Sequence, residues 1–189
     1  MILDLSEDGR FALVSAFTVP PGVDPSLTLK ELRNAILDSE VQFFDGAHIA
    51  GAEHLEIAAI NASHAFKTGI SISRGLAMET LLYASAQRQI DAAITRVGVT
   101  RDSKTVGVIA FSKTENDAGI LESRIAQFVG AQLNDELLDE WSEEKADSIK
   151  RLYGIGPAEL EAIRMPDQEV ERAIKKAVAE RVALLSTRI

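Results

Sequence analysis

Cationic side chains are in local excess between residues 67 and 113. This basic segment holds seven lysines and arginines against three carboxylates, whereas the whole chain has a formal net charge of -9. A local excess of positive charge on an acidic chain favours a site for one defined anion over a general coat of nucleic acid. The basic segment, residues 67–113, is therefore the first place to look for function.

Two pairs of side chains in the basic segment have the types that single-stranded RNA requires. Glu79 and Tyr83 are four residues apart and share one face of a predicted helix. Arg88 and Gln89 follow after a predicted break at residues 84–87. A ring or guanidinium plane can stack a base, a cation can bind a phosphate and an amide can bind a base edge. In the structural alternative, which composition alone favours, Arg88 pairs with a nearby carboxylate and Tyr83 packs at the rim.

A second candidate is the turn Gly154-Ile155-Gly156, which resembles a helix-hairpin-helix turn of the DNA-binding kind. Two glycines around an apolar residue allow a tight turn whose backbone N–H groups can meet a phosphate. The helix that follows opens with Glu159 and Glu161, and these carboxylates would repel a phosphate. A DNA-binding module at Gly154–Gly156 is kept as an alternative function, although glycines are also ordinary at turns between helices.

The sequence offers few groups for catalysis or metal binding. It has no cysteine, which excludes disulfides, thiolate metal sites and a cysteine nucleophile. His54 and His64, on one predicted helix, are about 80° apart around its axis and nearly three turns apart along it, so they cannot share a metal ion. Phosphate-binding loops and nucleophile motifs such as Gly-x-Ser-x-Gly are missing from the sequence. We predict no catalytic residues, no metal site and no cofactor, and the enzymatic alternative is a small hydrolase with an unrecognised carboxylate pair.

The apolar pattern predicts an α/β fold of the mixed α+β kind. Alternation predicts strands over residues 10–19 and 41–44, and the nearly continuous apolar run 105–111 predicts a strand covered on both faces. Helical spacing predicts a helix that begins near Asp24 and whose apolar face reaches Leu37. It predicts further helices over residues 54–68, 74–85, 87–97, 116–132, 134–152, 157–164 and 167–186. We expect a small mixed sheet packed with helices in a core domain, residues 1–133, and a helical C-terminal extension, residues 134–189, packed on that core.

The sequence also bears on location. No window reaches the ~18 consecutive apolar residues of a membrane span, and the N-terminus carries acidic residues where a signal peptide has cations. We expect a cytoplasmic protein that has no membrane partner.

Residues 62–99 resemble the kinase-binding subunit of the archaeal and eukaryotic KEOPS complex, the PRPK-binding protein family. The resemblance is centred on Glu79-x-x-Leu-Tyr-x-Ser-x-x-Arg-Gln-Ile-x-x-Ala-Ile-x-x-x-Gly98. In two places the chain departs from the family pattern. Ser71 stands where an asparagine is common, and Ala86-Gln87 stands where a glycine often precedes the Arg-Gln-Ile triplet.

The resemblance implies an archaeal, non-catalytic subunit that docks on a Bud-type atypical kinase/ATPase and binds the single-stranded CCA 3′ end of tRNA. It would thereby support formation of N6-threonylcarbamoyladenosine at position 37 of tRNA. In this chain Glu79 would orient Arg88. The residues for which RNA contacts are then predicted are Lys67, Ser71, Arg74, Tyr83, Arg88 and Gln89. The three cations would bind phosphate or stack, Tyr83 would line the nucleotide pocket, and the serine and the glutamine would supply polar contacts.

Overall fold

The computed structural model describes residues 1–36, 39–164 and 169–187. Within these ranges the chain forms four strands and eight α-helices, joined in places by short 3-10 turns. The strands are β1 (Ile2–Leu5), β2 (Arg10–Thr18), β3 (Glu40–Asp45) and β4 (Thr105–Ser112). The helices are α1 (Pro25–Ala35), α2 (Ala52–Thr68), α3 (Leu76–Ser85), α4 (Ile90–Val97), α5 (Glu115–Val129), α6 (Glu143–Tyr153), α7 (Pro157–Ile163) and α8 (Val170–Ala183).

The strands form one sheet in the order β1-β2-β4-β3. Strand β2 pairs with the whole of β4 from Phe11 to Thr18, with Leu13 opposite Ala110, and β3 pairs with the other edge of β4. The predicted mixed α+β class is confirmed. Every pairing in this sheet is antiparallel, whereas we expected a mixed sheet.

Helices cover both faces of the sheet, which explains the apolar run in β4. Ile109 and Phe111 belong to the buried cluster that includes residues of α2, α3 and α8. Val108 and Ala110 belong to the opposite cluster, which includes residues of α1 and α5. Since side chains alternate along a strand, a strand between two helical layers must be apolar at nearly every position.

The C-terminal helices pack against the same core as α2 and α3. Ile149 of α6 and Ile174, Val178 and Val182 of α8 are fully buried in one cluster with residues of those helices. The predicted helix 134–152 is divided, because a 3-10 turn (Asp135–Asp139) comes first and α6 is capped by the side chain of Ser142, which accepts from the Lys145 N–H. The helical C-terminal part is therefore confirmed, but its first α-helix begins at Glu143 and not at residue 134.

Some predicted boundaries fall elsewhere or outside the described residues. Strand β1 was not predicted, and α5 begins at Glu115, one residue before the predicted start, where the side chain of Thr114 caps it. The predicted face of α1 included Leu37, and the predicted last helix began at residue 167; both positions lie outside the described residues. Among the helices that are described, none is both long and apolar enough to cross a bilayer.

Candidate nucleic-acid interface

Helix α3 lies in the interior and carries a loop of the basic segment at each end. Its side chains are buried on almost all sides, including Glu79, which is fully buried, and Tyr83, which is 3% exposed. The predicted helix face containing Glu79 and Tyr83 is therefore not turned toward solvent. The accessible groups lie on the loops, residues 69–75 before α3 and 86–89 after it.

Glu79 holds the first loop in place. Its carboxylate accepts hydrogen bonds from the backbone N–H of Ser73 at 2.7 Å and from that of Ile72 at 3.0 Å. The Ser73 hydroxyl donates in turn to the Gly75 carbonyl at 2.7 Å. A buried carboxylate that accepts backbone N–H bonds is well satisfied, and it fixes the backbone that donates them. The bonds of Glu79 go to the loop that carries Ser71 and Arg74, and its suggested action on Arg88 stays a prediction.

A second carboxylate satisfies the start of α3. Glu40, the first residue of β3, accepts from the Ala77 N–H at 2.8 Å. The first N–H groups of a helix have no partner within the helix, so an acidic side chain supplied by the sheet stabilises this end. Helix α3 is thereby tied to the edge strand, and loop 69–75 is held between two anchored carboxylates.

The second loop leaves α3 through a left-handed residue. Ala86 has φ 52°, its N–H donates to the Tyr83 carbonyl at 2.9 Å, and the Gln87 N–H donates to the Leu82 carbonyl at 3.1 Å. This hydrogen-bond pattern ends a helix sharply and is usually made by glycine. Arg88 and Gln89 follow at once and are exposed.

The predicted RNA-binding residues differ in how accessible they are. Arg74, Arg88 and Gln89 are exposed, and Ser71 is half-buried. Lys67 is exposed, but its ammonium group forms an ion pair with Asp8 at 3.3 Å and also donates to the Glu7 carbonyl. The structure thus brings the arginines and Gln89 to the surface and gives Lys67 a partner within the chain.

Tyr83 lies beneath this surface beside two charged groups. Burial raises the pKa of its phenol, the Glu79 carboxylate adds to that rise, and Arg88 opposes it. Tyr83 is thus within electrostatic range of both the buried acid and the exposed guanidinium. In this position the ring can support the surface from below, but it does not offer an open face for stacking.

Exposed isoleucines accompany the polar residues of both loops. Ile70 and Ile72 are 60% and 38% exposed, and Ile90 and Ile94 of α4 are 42% and 47% exposed. Ile90 and Ile94 have the spacing of an inner helix face, so apolar spacing alone gives no sign that they are exposed. Aliphatic side chains next to guanidinium and amide groups can contact the flat faces of unstacked bases.

A comparison with known families identifies the chain. The sequence profile described as "Kinase binding protein CGI-121" matches residues 23–186. The chain belongs to the CGI-121 family. The kinase-binding part of the resemblance is thus confirmed, and a kinase is a partner class of this family. No curated protein matches the chain significantly.

In this CGI-121 protein a buried junction joins α2, α3 and α6. The Ala84 carbonyl accepts 2.8 Å hydrogen bonds from Nε2 of His54 and from the hydroxyl of Tyr153. Nδ1 of His54 accepts from the Ala50 N–H, so the ring is neutral, and burial lowers its pKa to about 4. His54 is therefore a structural residue, and among the described residues no cluster of three or more potential metal ligands occurs.

Arg96 connects the same junction to α4. Its guanidinium donates to the Ser85 carbonyl at 3.1 Å and lies 5.6 Å from the centre of the Tyr153 ring. Arg96, a cation of the basic segment, therefore makes its contacts within the protein. Sequence reasoning could not separate Arg96 from the exposed arginines, because the separating contact comes from α6, more than fifty residues away.

The Gly154–Gly156 hairpin uses its own backbone N–H groups. The Gly154 N–H donates to the Arg151 carbonyl at 3.4 Å, and the Ile155 N–H donates to the Lys150 carbonyl at 2.8 Å. The N–H groups of Gly154 and Ile155 are thus directed within the protein, which removes two of the contacts by which a hairpin of the DNA-binding kind would hold a phosphate.

Proposed function

We propose that this CGI-121 family member is the non-catalytic subunit of an archaeal KEOPS complex that binds a Bud-type atypical kinase/ATPase and the single-stranded CCA 3′ end of tRNA. In this role it acts in the cytoplasm and supports formation of N6-threonylcarbamoyladenosine at position 37 of tRNA. Family membership supports the kinase partner. The exposed Arg74, Arg88 and Gln89 on two anchored loops are the observation that carries the tRNA part.

The anchoring of the loops supports binding of a flexible single strand. Glu79 and Glu40 hold loop 69–75 and the start of α3, and the left-handed Ala86 sets the exit of loop 86–89. Ordering a single-stranded end costs conformational entropy, and a protein surface that is already ordered adds little to that cost. In this site Ser71 makes a polar contact with the RNA. The ring of Tyr83 supports the surface from below, and Lys67 is a cation at its periphery.

The charge distribution supports a short anionic target. Residues 1–66 sum to -7 and residues 114–189 to -6, whereas the basic segment between them is +4. Negative flanks repel a long polyanion, and a local cationic surface attracts a short one. A terminal single strand of a few nucleotides meets this pattern better than an extended duplex wrapped by the protein.

The deciding experiment is a binding titration of the purified chain with tRNA that has or lacks its terminal CCA. We expect tighter binding of intact tRNA. Arg88→Gln removes one phosphate or stacking contact, and one single-strand phosphate contact is worth about fivefold in affinity at about 0.1 M salt. The variant should therefore lose much of the preference for intact tRNA and show a shallower salt dependence.

The matched control is Lys113→Gln, which removes an exposed cation from the other end of the basic segment. It should bind both tRNAs as the parent chain does. Unchanged affinity of Arg88→Gln for both tRNAs would contradict the assignment. Loss of duplex DNA binding on changing Gly154 would favour the DNA-binding alternative, and turnover by the purified chain alone would favour the hydrolase.

A further inference from the structure

The cleft beside the Gly154–Gly156 hairpin is not used by the single-strand site. It has a volume of about 670 Å³ and lies between the end of α6 and the start of α7. Its lining combines charged and small residues, among them Asp147, Lys150, Arg151, Gly154, Gly156 and Leu160. The cleft is therefore a concave surface with cations at its edge and an uncovered stretch of backbone.

The fold does not require glycine at position 156. The residue has φ -89° and ψ 163°, an extended conformation open to any amino acid, and a Cβ placed on it would meet no atom within 4 Å. It is also the N-cap of α7, where serine, aspartate or asparagine ordinarily stabilises a helix as well or better. A glycine that neither conformation nor packing needs is suited to close approach of another molecule to the backbone.

The charges around the cleft favour an anion. Arg151 is exposed and forms no salt bridge within the described part of the chain, and Lys150 is paired at 2.6 Å with the more exposed Asp147. Glu159, one of the two carboxylates expected to repel phosphate, makes a two-point contact with Arg181 at 2.7 and 2.9 Å, whereas the other, Glu161, is exposed. The side chains of Asp147, Lys150 and Arg151 together leave the cleft with one net positive charge.

The hairpin and loop 86–89 leave the same buried junction. Tyr153, which precedes Gly154, donates to the Ala84 carbonyl, and Arg96 bridges Ser85 and the Tyr153 ring. Gly156 follows Tyr153 by three residues, and Arg88 follows Ser85 by three residues. Three residues of extended chain span at most about 10 Å, so each of these two positions lies within that distance of the junction. A nucleic acid held at one loop is therefore within reach of the other.

We propose that the hairpin cleft is a second RNA contact, in which Arg151 and Lys150 hold backbone phosphates of the duplex next to the single-stranded 3′ end. This inference rests on the proposed function. Because the N–H groups of Gly154 and Ile155 are already bonded, the contact is made by cationic side chains and by close packing on Gly156. Contacts to phosphates carry no base information, so this contact would be independent of sequence.

Arg151→Gln and Gly156→Asn test the cleft in the full-length chain, with intact tRNA and tRNA trimmed of its CCA. Each duplex phosphate contact releases about 0.9 counterion and is worth about eightfold at about 0.1 M salt. Arg151→Gln should weaken the binding of both tRNAs by roughly that factor. It should also reduce the slope of log affinity against log salt concentration by about 0.9. Gly156→Asn should leave the melting temperature unchanged or higher, because asparagine is a good N-cap, and still weaken both tRNAs.

The two proposals fail in different ways. Unchanged affinity and unchanged salt slope in both hairpin variants, with the CCA preference intact, overturn the cleft contact and leave the single-strand site standing. If the hairpin variants bind both tRNAs equally weakly and the parent chain shows no preference for tRNA with its CCA, the cleft contact is supported and recognition of the CCA end is overturned. Loss of kinase capture with unchanged tRNA binding would assign the cleft to a protein partner and overturn the inference, as would a failure of the parent chain to bind tRNA. Lys113→Gln is again the control and should match the parent chain.

Discussion

The carboxylate of Glu79 accepts a 2.7 Å hydrogen bond from the backbone N–H of Ser73, six residues earlier and outside helix α3. The acid is fully buried, yet its partner belongs to a loop whose neighbouring residues are exposed. One interior side chain thus determines the course of the surface loop that carries Arg74.

Removing this carboxylate should loosen the loop and the fold. Glu79→Ala leaves the N–H groups of Ile72 and Ser73 without a partner, and each buried unpaired group costs about 1–3 kcal/mol. We expect the free energy of unfolding, measured in urea, to fall by about 2–4 kcal/mol and amide exchange at both residues to accelerate. Glu79→Gln keeps an acceptor oxygen and should lose less; equal losses in the two variants would show that the backbone bonds are unimportant.

Stability should decrease with acid through His54. Its pKa is about 4 in the folded protein and about 6.5 when unfolded, so the unfolded state binds more protons between these values. The free energy of unfolding should therefore be unaffected by His54 above pH 6.5 and should fall by about 3 kcal/mol as the pH drops to 4.

The measurement is a series of urea titrations between pH 4 and pH 8. His54→Gln cannot titrate, and it should be less stable at neutral pH but show a flatter dependence on pH over this range. A variant with the same pH dependence as the parent would assign the acid sensitivity to other groups. His64→Gln makes the same substitution at an exposed position of the same helix and is the matched control for the loss of neutral stability.

Ala86→Gly should stabilise the protein. Alanine at φ 52° carries a left-handed backbone that costs about 1 kcal/mol or more, whereas glycine adopts it without this cost. The gain should be about 0.5–1 kcal/mol, since glycine is also more flexible in the unfolded chain. Ala77→Gly in the first turn of α3, where the backbone is right-handed, is the control and should destabilise by up to about 1 kcal/mol. A lower melting temperature for Ala86→Gly would mean that the buried methyl group outweighs the backbone strain.

Ser63→Ala should be neutral or stabilising. The Ser63 hydroxyl is buried in α2 and has no hydrogen-bond partner among the described residues, whereas the buried Ser85 hydroxyl donates to the Leu82 carbonyl at 2.9 Å. Because burying an unpaired hydroxyl costs free energy, its removal should raise the free energy of unfolding by up to about 1 kcal/mol. Thermal unfolding of the alanine variants at both serines provides the comparison, and a clear loss at Ser63 would indicate a partner that binds this hydroxyl.

The free energy of unfolding should depend more on Arg181 than on its acidic partner, Glu159. It forms the two-point contact with Glu159 and also donates to the Tyr153 carbonyl at 2.8 Å and to the Ala177 carbonyl at 2.9 Å. Glu159 is partly exposed, so Glu159→Gln should cost at most about 1 kcal/mol, and Arg181→Ala about 1–3 kcal/mol.

A double-mutant cycle at pH 7 should give a coupling of about 0.5–1 kcal/mol for this pair. The pKa of Glu159 is lowered in the folded state, so its contribution is present above its unfolded pKa of about 4.5 and is lost as the pH falls below that value. A coupling that does not decrease as the pH falls below 4.5 would exclude the ion pair as its source.

Most elements of the fold could be predicted from apolar spacing. Strand β4 and helices α2 and α8 follow the pattern of their buried residues, because a long regular repeat has few competing interpretations. Strand β1 escaped prediction because four residues at a sheet edge carry too short a pattern. The division before α6 depends on Ser142, a cap that lies inside an otherwise helical charge pattern.

The sequence by itself determined the location of the positive charge, the α+β class, the turn at Gly154–Gly156 and the resemblance whose kinase-binding part the family match bears out. Only the tertiary structure decided that Glu79 and Tyr83 are buried, that Lys67 and Arg96 have partners within the chain, and that Arg181 neutralises Glu159. The physical reason is that helical spacing defines which side chains share a face, whereas burial and pairing depend on the elements that pack against that face from distant parts of the chain.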